Sequence, residues 1–99
     1  MAANSQNGQD TPNDQDSLLR FPCVFAIKII GHRSDEFAQS IVDIVMQHAP
    51  DYDAATTEMR PSSQGAYLSL TCTINAQSRD QLDALYRALT AQPQVVMVL

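Results

Sequence analysis

From Phe21 onward the chain switches between a hydrophobic period of two and one near 3.6, and each switch marks an element. Phe21–Gly31 reads Phe-Pro-Cys-Val-Phe-Ala-Ile-Lys-Ile-Ile-Gly. Phe25, Ile27 and Ile29 fall on one face by period two and Lys28 on the other, which predicts a strand ended by Gly31. Ser34 then offers a capping hydroxyl. Asp35 and Glu36 put negative charge where a helix dipole favours it, and Phe37, Ile41, Ile44, Val45 and His48 follow at helical spacing. Pro50 should stop this helix at Ala49. Asp53–Arg60 reads as a weaker strand, with Thr56 and Thr57 its only β-branched residues. Pro61-Ser62-Ser63-Gln64-Gly65 has the chemistry of a hairpin turn. Ala66–Asn75 alternates cleanly: Ala66, Leu68, Leu70, Cys72 and Ile74 face one way, Tyr67, Ser69, Thr71, Thr73 and Asn75 the other. Ser78 and Gln81 form a capping box ahead of a second helix marked by Leu82, Leu85, Tyr86 and Leu89. Pro93 separates it from a last strand, Val95–Leu99.

The order β-α-β-β-α-β with right-handed crossovers predicts an α+β fold, a ferredoxin-like sandwich. Its four-stranded antiparallel sheet should run 4-1-3-2, with two helices on one face. In that arrangement the loop Gly31–Ser34, the hairpin Pro61–Gly65 and the loop Ala91–Gln94 share one end of the sheet. The loops Ala49–Asp53 and Ala76–Ser78 share the other, near Phe21.

Composition sharpens the boundaries. The chain has 99 residues, of which 44% are apolar, and a formal net charge of −5. Asn4–Ser17 contains no apolar residue, so residues 1–20 are expected to be a disordered polar tail and residues 21–99 the folded domain. The tail carries a net −2, leaving −3 on the domain. It has neither the basic start nor the apolar stretch of a signal peptide, and no segment approaches the ~20 apolar residues that span a bilayer. The expected location is cytoplasmic, with no membrane partner. Cys23 and Cys72 are too far apart in sequence for a Cys-x-x-Cys motif and read as small apolar side chains of a reducing compartment.

Several chemistries find no support in these residues. His32, His48, Cys23 and Cys72 are scattered, and the loop after the first strand, Gly31-His32-Arg33-Ser34, lacks the cysteine pair of a copper carrier, so no metal site and no cofactor are expected. An RNA-recognition sheet needs aromatic residues on its open face, and only Tyr67 stands there, so no nucleic-acid partner is expected. No serine lies in a Gly-x-Ser-x-Gly elbow with a His–carboxylate partner, and no catalytic residue is expected. Two groups of candidates remain. Gly31, His32, Arg33, Ser34, Arg60, Ser62 and Ser63 gather hydroxyls and arginines at one end of the sheet, a candidate anion or carboxylate site. Val24, Ala26, Ile30 and Tyr67 on the open face are candidates for partner docking or sheet-to-sheet dimerisation.

Phe21-Pro22, Lys28, Gly31, His48-Ala49-Pro50, the run Arg60-Pro61-Ser62-Ser63-Gln64-Gly65-Ala66-Tyr67-Leu68-Ser69, Leu85-Tyr86 and the ending Val95-Val96-Met97-Val98-Leu99 resemble the YbeD-like family of small bacterial proteins. The resemblance covers about residues 21–99. It implies a ferredoxin-like fold similar to the amino-acid-binding ACT domains that regulate metabolic enzymes, a function that is unassigned, and no catalytic residues to carry over. It also implies an association with lipoate metabolism through neighbouring lipoate-attachment genes. The expectation is a non-enzymatic ACT-like module acting by protein contact, as a homodimer or on a partner. The alternative is a sensor of an amino acid or other small carboxylate at the loop Gly31–Ser34.

Overall fold

The computed structural model describes residues 19–99. The expected polar tail therefore lies, apart from Leu19 and Arg20, outside the described residues. The elements are β1 (Cys23–His32), α1 (Phe37–His48), a 3-10 turn (Ala54–Thr56), β2 (Glu58–Pro61), β3 (Tyr67–Ala76), α2 (Arg79–Thr90) and β4 (Val95–Val98). One sheet runs β2-β3-β1-β4, which is the expected 4-1-3-2 order read from the other edge, and all three pairings are antiparallel.

The period-two pattern places the core as expected. Ile27, Ile29, Leu70, Cys72 and Ile74 point from the sheet onto Phe37, Ile41, Ile44, Val45, Leu82, Leu85 and Leu89 from the helices, and all of them are buried. Each such side chain contributes about 1.5–3 kcal/mol by leaving water. Among the described residues, no helix lies over the opposite face of the sheet.

Four local expectations are corrected. First, β1 does not end at Gly31 but runs on to His32, because Gly31 is itself inside the packing. A methyl at Gly31 would fall 2.5 Å from the Gln94 carbonyl oxygen and 2.6 Å from Phe37 Cε1, so close approach, not chain termination, is its role here. Second, the strand expected over Asp53–Arg60 is only Glu58–Pro61. The Asp53 carboxylate accepts the Ala55 N–H at 3.0 Å and the Thr56 hydroxyl donates to the Asp53 carbonyl at 2.6 Å, so side-chain bonds wind this segment into a 3-10 turn. Third, α1 begins at Phe37, and Asp35 and Glu36 form the turn before it rather than its first turn. The N-cap position is therefore Glu36 and not Ser34, although Ser34 Oγ accepts the Phe37 N–H at 3.2 Å. Fourth, the Ser78 hydroxyl accepts the Gln81 N–H at 3.1 Å as expected, but the Gln81 side chain reaches back to the N–H of Gln77 at 2.6 Å, one residue before the cap. Its amide also donates to the His48 carbonyl at 2.8 Å and ties the start of α2 to the end of α1.

Gly65 is the residue with left-handed geometry, φ +79°, and its N–H closes the hairpin onto the Ser62 carbonyl at 2.9 Å. Cys23 pairs with Ala76 and Cys72 with Ile27. Four positions of strand separate the two cysteines, roughly 13 Å, beyond the ~7 Å reach of a disulfide; both are free.

Candidate functional site

The loops after β1, between β2 and β3, and before β4 meet at one end of the sheet, as the topology predicts. The His32 N–H donates to the Gln94 carbonyl at 3.0 Å and the Arg33 N–H to the Ala66 carbonyl at 3.0 Å. The Gln94 amide donates to Ser34 Oγ at 3.2 Å. The seven ligand-site candidates divide here. Gly31 is covered by the Phe37 ring and the Gln94 carbonyl. Ser34 Oγ accepts from both Phe37 and Gln94. Arg33 lies over the hairpin, its Nη1 3.4 Å from where a Cβ on Gly65 would stand. Ser62 accepts the Tyr67 N–H at 3.2 Å, and Ser63 is exposed at the hairpin tip. Arg60 and Ser62 line a depression on the open face of the sheet, whereas Gly31, His32, Arg33 and Ser34 do not.

The open face is a grid set by register. Across β4, β1, β3 and β2 one row reads Met97, Ile30, Ser69, Arg60; a row through β1, β3 and β2 reads Lys28, Thr71, Glu58; further rows pair His32 with Tyr67, Ala26 with Thr73 and Val24 with Asn75. The His32 and Tyr67 rings stand 5.2 Å apart. Polarity therefore changes across the sheet. Val24, Ala26, Ile30 and Met97 make the β1–β4 half mostly apolar, interrupted by Lys28 and His32, and Asn75, Thr73, Thr71, Ser69, Glu58 and Arg60 make the β3–β2 half polar. The four partner-site candidates fall on this face: Val24 and Tyr67 are exposed, Ala26 exposed and Ile30 half-buried.

The two edges of the sheet differ in the same sense. β2 is Glu-Met-Arg-Pro, with two charges and a proline; β4 is Val-Val-Met-Val, with neither. Val96, Met97 and Leu99 are all about half exposed or more. Charges and prolines are one ordinary protection of a free edge; among the described residues β2 carries them, whereas β4 has only its shortness and a bulge against β1 at Ile30/Gly31.

Raised pKa values occur inside the fold. Burial pushes the Cys72 thiol up, opposed by its hydrogen bond with Tyr52; burial, and secondarily that same bond, pushes the Tyr52 phenol up; burial alone raises Tyr86. Tyr52 also hydrogen-bonds to the Thr57 hydroxyl. No group of three or more His, Cys, Asp or Glu gathers among the described residues, and no helix among them is long and apolar enough to cross a membrane.

Sequence reasoning named Arg60 and Ser62 but missed Lys28, Glu58, Ser69 and Thr71 beside them. The alternation of β3 already turned Ser69 and Thr71 outward; what was missing was the β2–β3 register that sets Arg60 against Ser69.

A four-stranded sheet in this order with two helices packed on one face defines an ACT-like, ferredoxin-like fold. Solved structures share it, two of them as follows. One is the ACT domain from GTP pyrophosphokinase of Chlorobium tepidum, with TM-score 0.62 and 17% identity over 77% of this chain and 94% of that one. The other is the solution structure of an H. pylori protein, with TM-score 0.69 and 13% identity over 93% and 98%. The chain belongs to the family described as "Protein of unknown function (DUF493)", which matches residues 16–99. Its relatives include a UPF0250 protein of Nitrosomonas europaea, 54% identical over 86% of this chain and 98% of its own length. Another is a UPF0250 protein of Ralstonia nicotianae, 50% identical over 94% and 98%. The YbeD-like resemblance read from the sequence is thereby borne out.

Proposed function

We propose that this protein is a non-enzymatic ACT-like module that acts by contact, and that its first contact is with a second copy of itself through β4. The observation that carries the reading is the uncharged free edge of β4 beside an apolar strip of open sheet. A strand edge with unpaired N–H and C=O groups is a template for another strand. Antiparallel pairing of β4 with its copy is isologous and closes at two chains. It would extend the sheet to β2-β3-β1-β4 continued by the same order reversed. The apolar halves of the two open faces would then adjoin at the seam, with the protected β2 edges outermost. Such a surface can also receive a protein partner once the dimer has formed.

Sedimentation velocity on the full chain at micromolar concentration should show a dimer, and Val96→Lys should show a monomer that melts within about 0.5 kcal/mol of the parent, as exposed substitutions do. A parent that sediments as a monomer overturns the reading.

A second reading is regulatory sensing of a small carboxylate, an amino acid or a lipoate-like acid, at the loop Gly31–Ser34. The observation behind it is the Arg33 guanidinium beside the Gly65 hairpin, a cation at the loop end of the sheet. A ligand at 100 times its dissociation constant adds ~2.7 kcal/mol, so melting curves with amino acids, lipoate and octanoate test it. A flat screen removes this reading.

A further inference from the structure

The open face holds a depression of about 550 Å³ over β3, between β1 and β2, which shares only Ile30 with the apolar strip beside β4. Its floor is Ser69 and Thr71 of β3. Lys28 of β1 stands on one side, and Glu58 and Arg60 of β2 on the other. Two strand spacings separate Lys28 from Glu58, roughly 10 Å between their backbones, so the polar end of a small molecule fits between them. Among the described residues Lys28, Glu58 and Arg60 form no ion pair with one another. Their charged heads are free to meet a ligand.

The lining restricts what that ligand is. Two cations facing one carboxylate leave a local excess of one positive charge, in a domain that is otherwise acidic. One negative charge is complemented; a second would meet Glu58 unpaired. Arg60 offers a planar fork suited to a carboxylate, and Lys28 a point charge. Ile30, Tyr67 and Pro61 add apolar surface around the polar floor. The volume lies within the ~300–1,000 Å³ range of small-molecule sites.

We propose that this depression binds a monocarboxylate with an apolar body. The carboxylate lies over Ser69 and Thr71 between Arg60 and Lys28, and the body rests on Ile30, Tyr67 and Pro61. This site is separate from the loop Gly31–Ser34 and stands independently of the dimer reading.

The test is amide chemical-shift mapping of the isotopically labelled full chain, at constant ionic strength, with sodium acetate, sodium hexanoate and inorganic phosphate as probes. Hexanoate should move the amides of Arg60, Ser69 and Thr71. Affinity should rise from acetate to hexanoate by up to about fourfold per methylene, the value of a fully buried CH₂. Lys28→Gln and Arg60→Gln should each weaken hexanoate about fivefold, the upper range for an exposed charge pair, and Glu58→Gln should tighten it. The spectra themselves report whether each variant is folded. Phosphate moving the same amides as strongly as hexanoate overturns the proposal, since charge alone would then explain binding. Hexanoate shifts confined to Gly31–Ser34, or none at tens of millimolar, also overturn it. Because the oligomeric state is read separately, failure here leaves the β4 seam untouched.

Discussion

Replacing Gly31 with alanine places a methyl where β1, α1 and β4 close on one another. That methyl would lie 2.5 Å from the Gln94 carbonyl oxygen and 2.6 Å from Phe37 Cε1, whereas unstrained carbon contacts are about 3.5–4.0 Å. Neither neighbour moves freely. Phe37 is 1% exposed, and the Gln94 oxygen is backbone and accepts the His32 N–H at 3.0 Å. Overpacking a core costs about 1–3 kcal/mol, and loss of the His32–Gln94 bond adds about 1 kcal/mol. The expected destabilisation is therefore about 2–4 kcal/mol. A folded unit of this size has roughly 4–12 kcal/mol in total, so a large fraction is lost. Each kcal/mol moves the Tm of such a domain by about 4–8 °C, and a thermal melt followed by circular dichroism should fall by roughly 8–30 °C. The urea m value should not change, because the surface exposed on unfolding is the same. Gly65→Ala separates sterics from backbone conformation. It meets only Arg33 Nη1, at 3.4 Å, but sits at φ +79°, so it should cost about 1–2 kcal/mol. A Gly31→Ala protein within about 0.5 kcal/mol of the parent would refute the packing described at this corner.

Alkali should destabilise the fold through its buried acids. Burial raises the folded-state pKa of the Cys72 thiol and the Tyr52 phenol above their ordinary values, so the folded state holds these protons more tightly than the unfolded one. Their contribution is intact below the ordinary thiol range and is lost as pH climbs through the raised values. Urea midpoints should thus fall above about pH 9, and Cys72→Ala should blunt the fall; an unchanged slope in the variant contradicts the assignment. In native protein at mildly alkaline pH, a thiol reagent should modify half-buried Cys23 and leave buried Cys72 untouched until urea is added. Ser78→Ala should cost about 1 kcal/mol by uncapping α2, measured as a shift in urea midpoint.

The fold was legible because its periods are long and its punctuation strong. The alternation over Ala66–Asn75 and the leucines of α2 fixed which faces are buried, and the element order fixed the sheet. The misreadings share a physical origin in specific contacts, local in one case and long-range in the other, that composition does not reveal. Thr56 and Thr57 carry strand propensity, yet the Asp53 side chain winds their segment into a turn. Gly31 looked like a terminator, and its actual role depends on Phe37 and Gln94, six and 63 residues away in sequence. The candidate sites were half legible for a related reason. Alternation shows which side chains leave the core, but only cross-strand register shows which of them meet. Hence Val24, Ala26, Ile30 and Tyr67 were placed on the right face, while the neighbours of Arg60 were not foreseen.

The contact reading turns on one backbone group. The Leu99 N–H donates to Lys28 at 2.8 Å, so the preceding amide, that of Val98, points away from β1 toward the free edge. Hydrogen exchange at Val98, followed as the concentration of the full chain is raised, reports directly whether a second β4 lies there. Pairing predicts exchange that slows at least about tenfold as dimer forms, since an exposed edge amide opens at almost no cost and a central strand amide does not. Exchange at Val98 that stays fast at every concentration, with the mass of a single chain throughout, would contradict it.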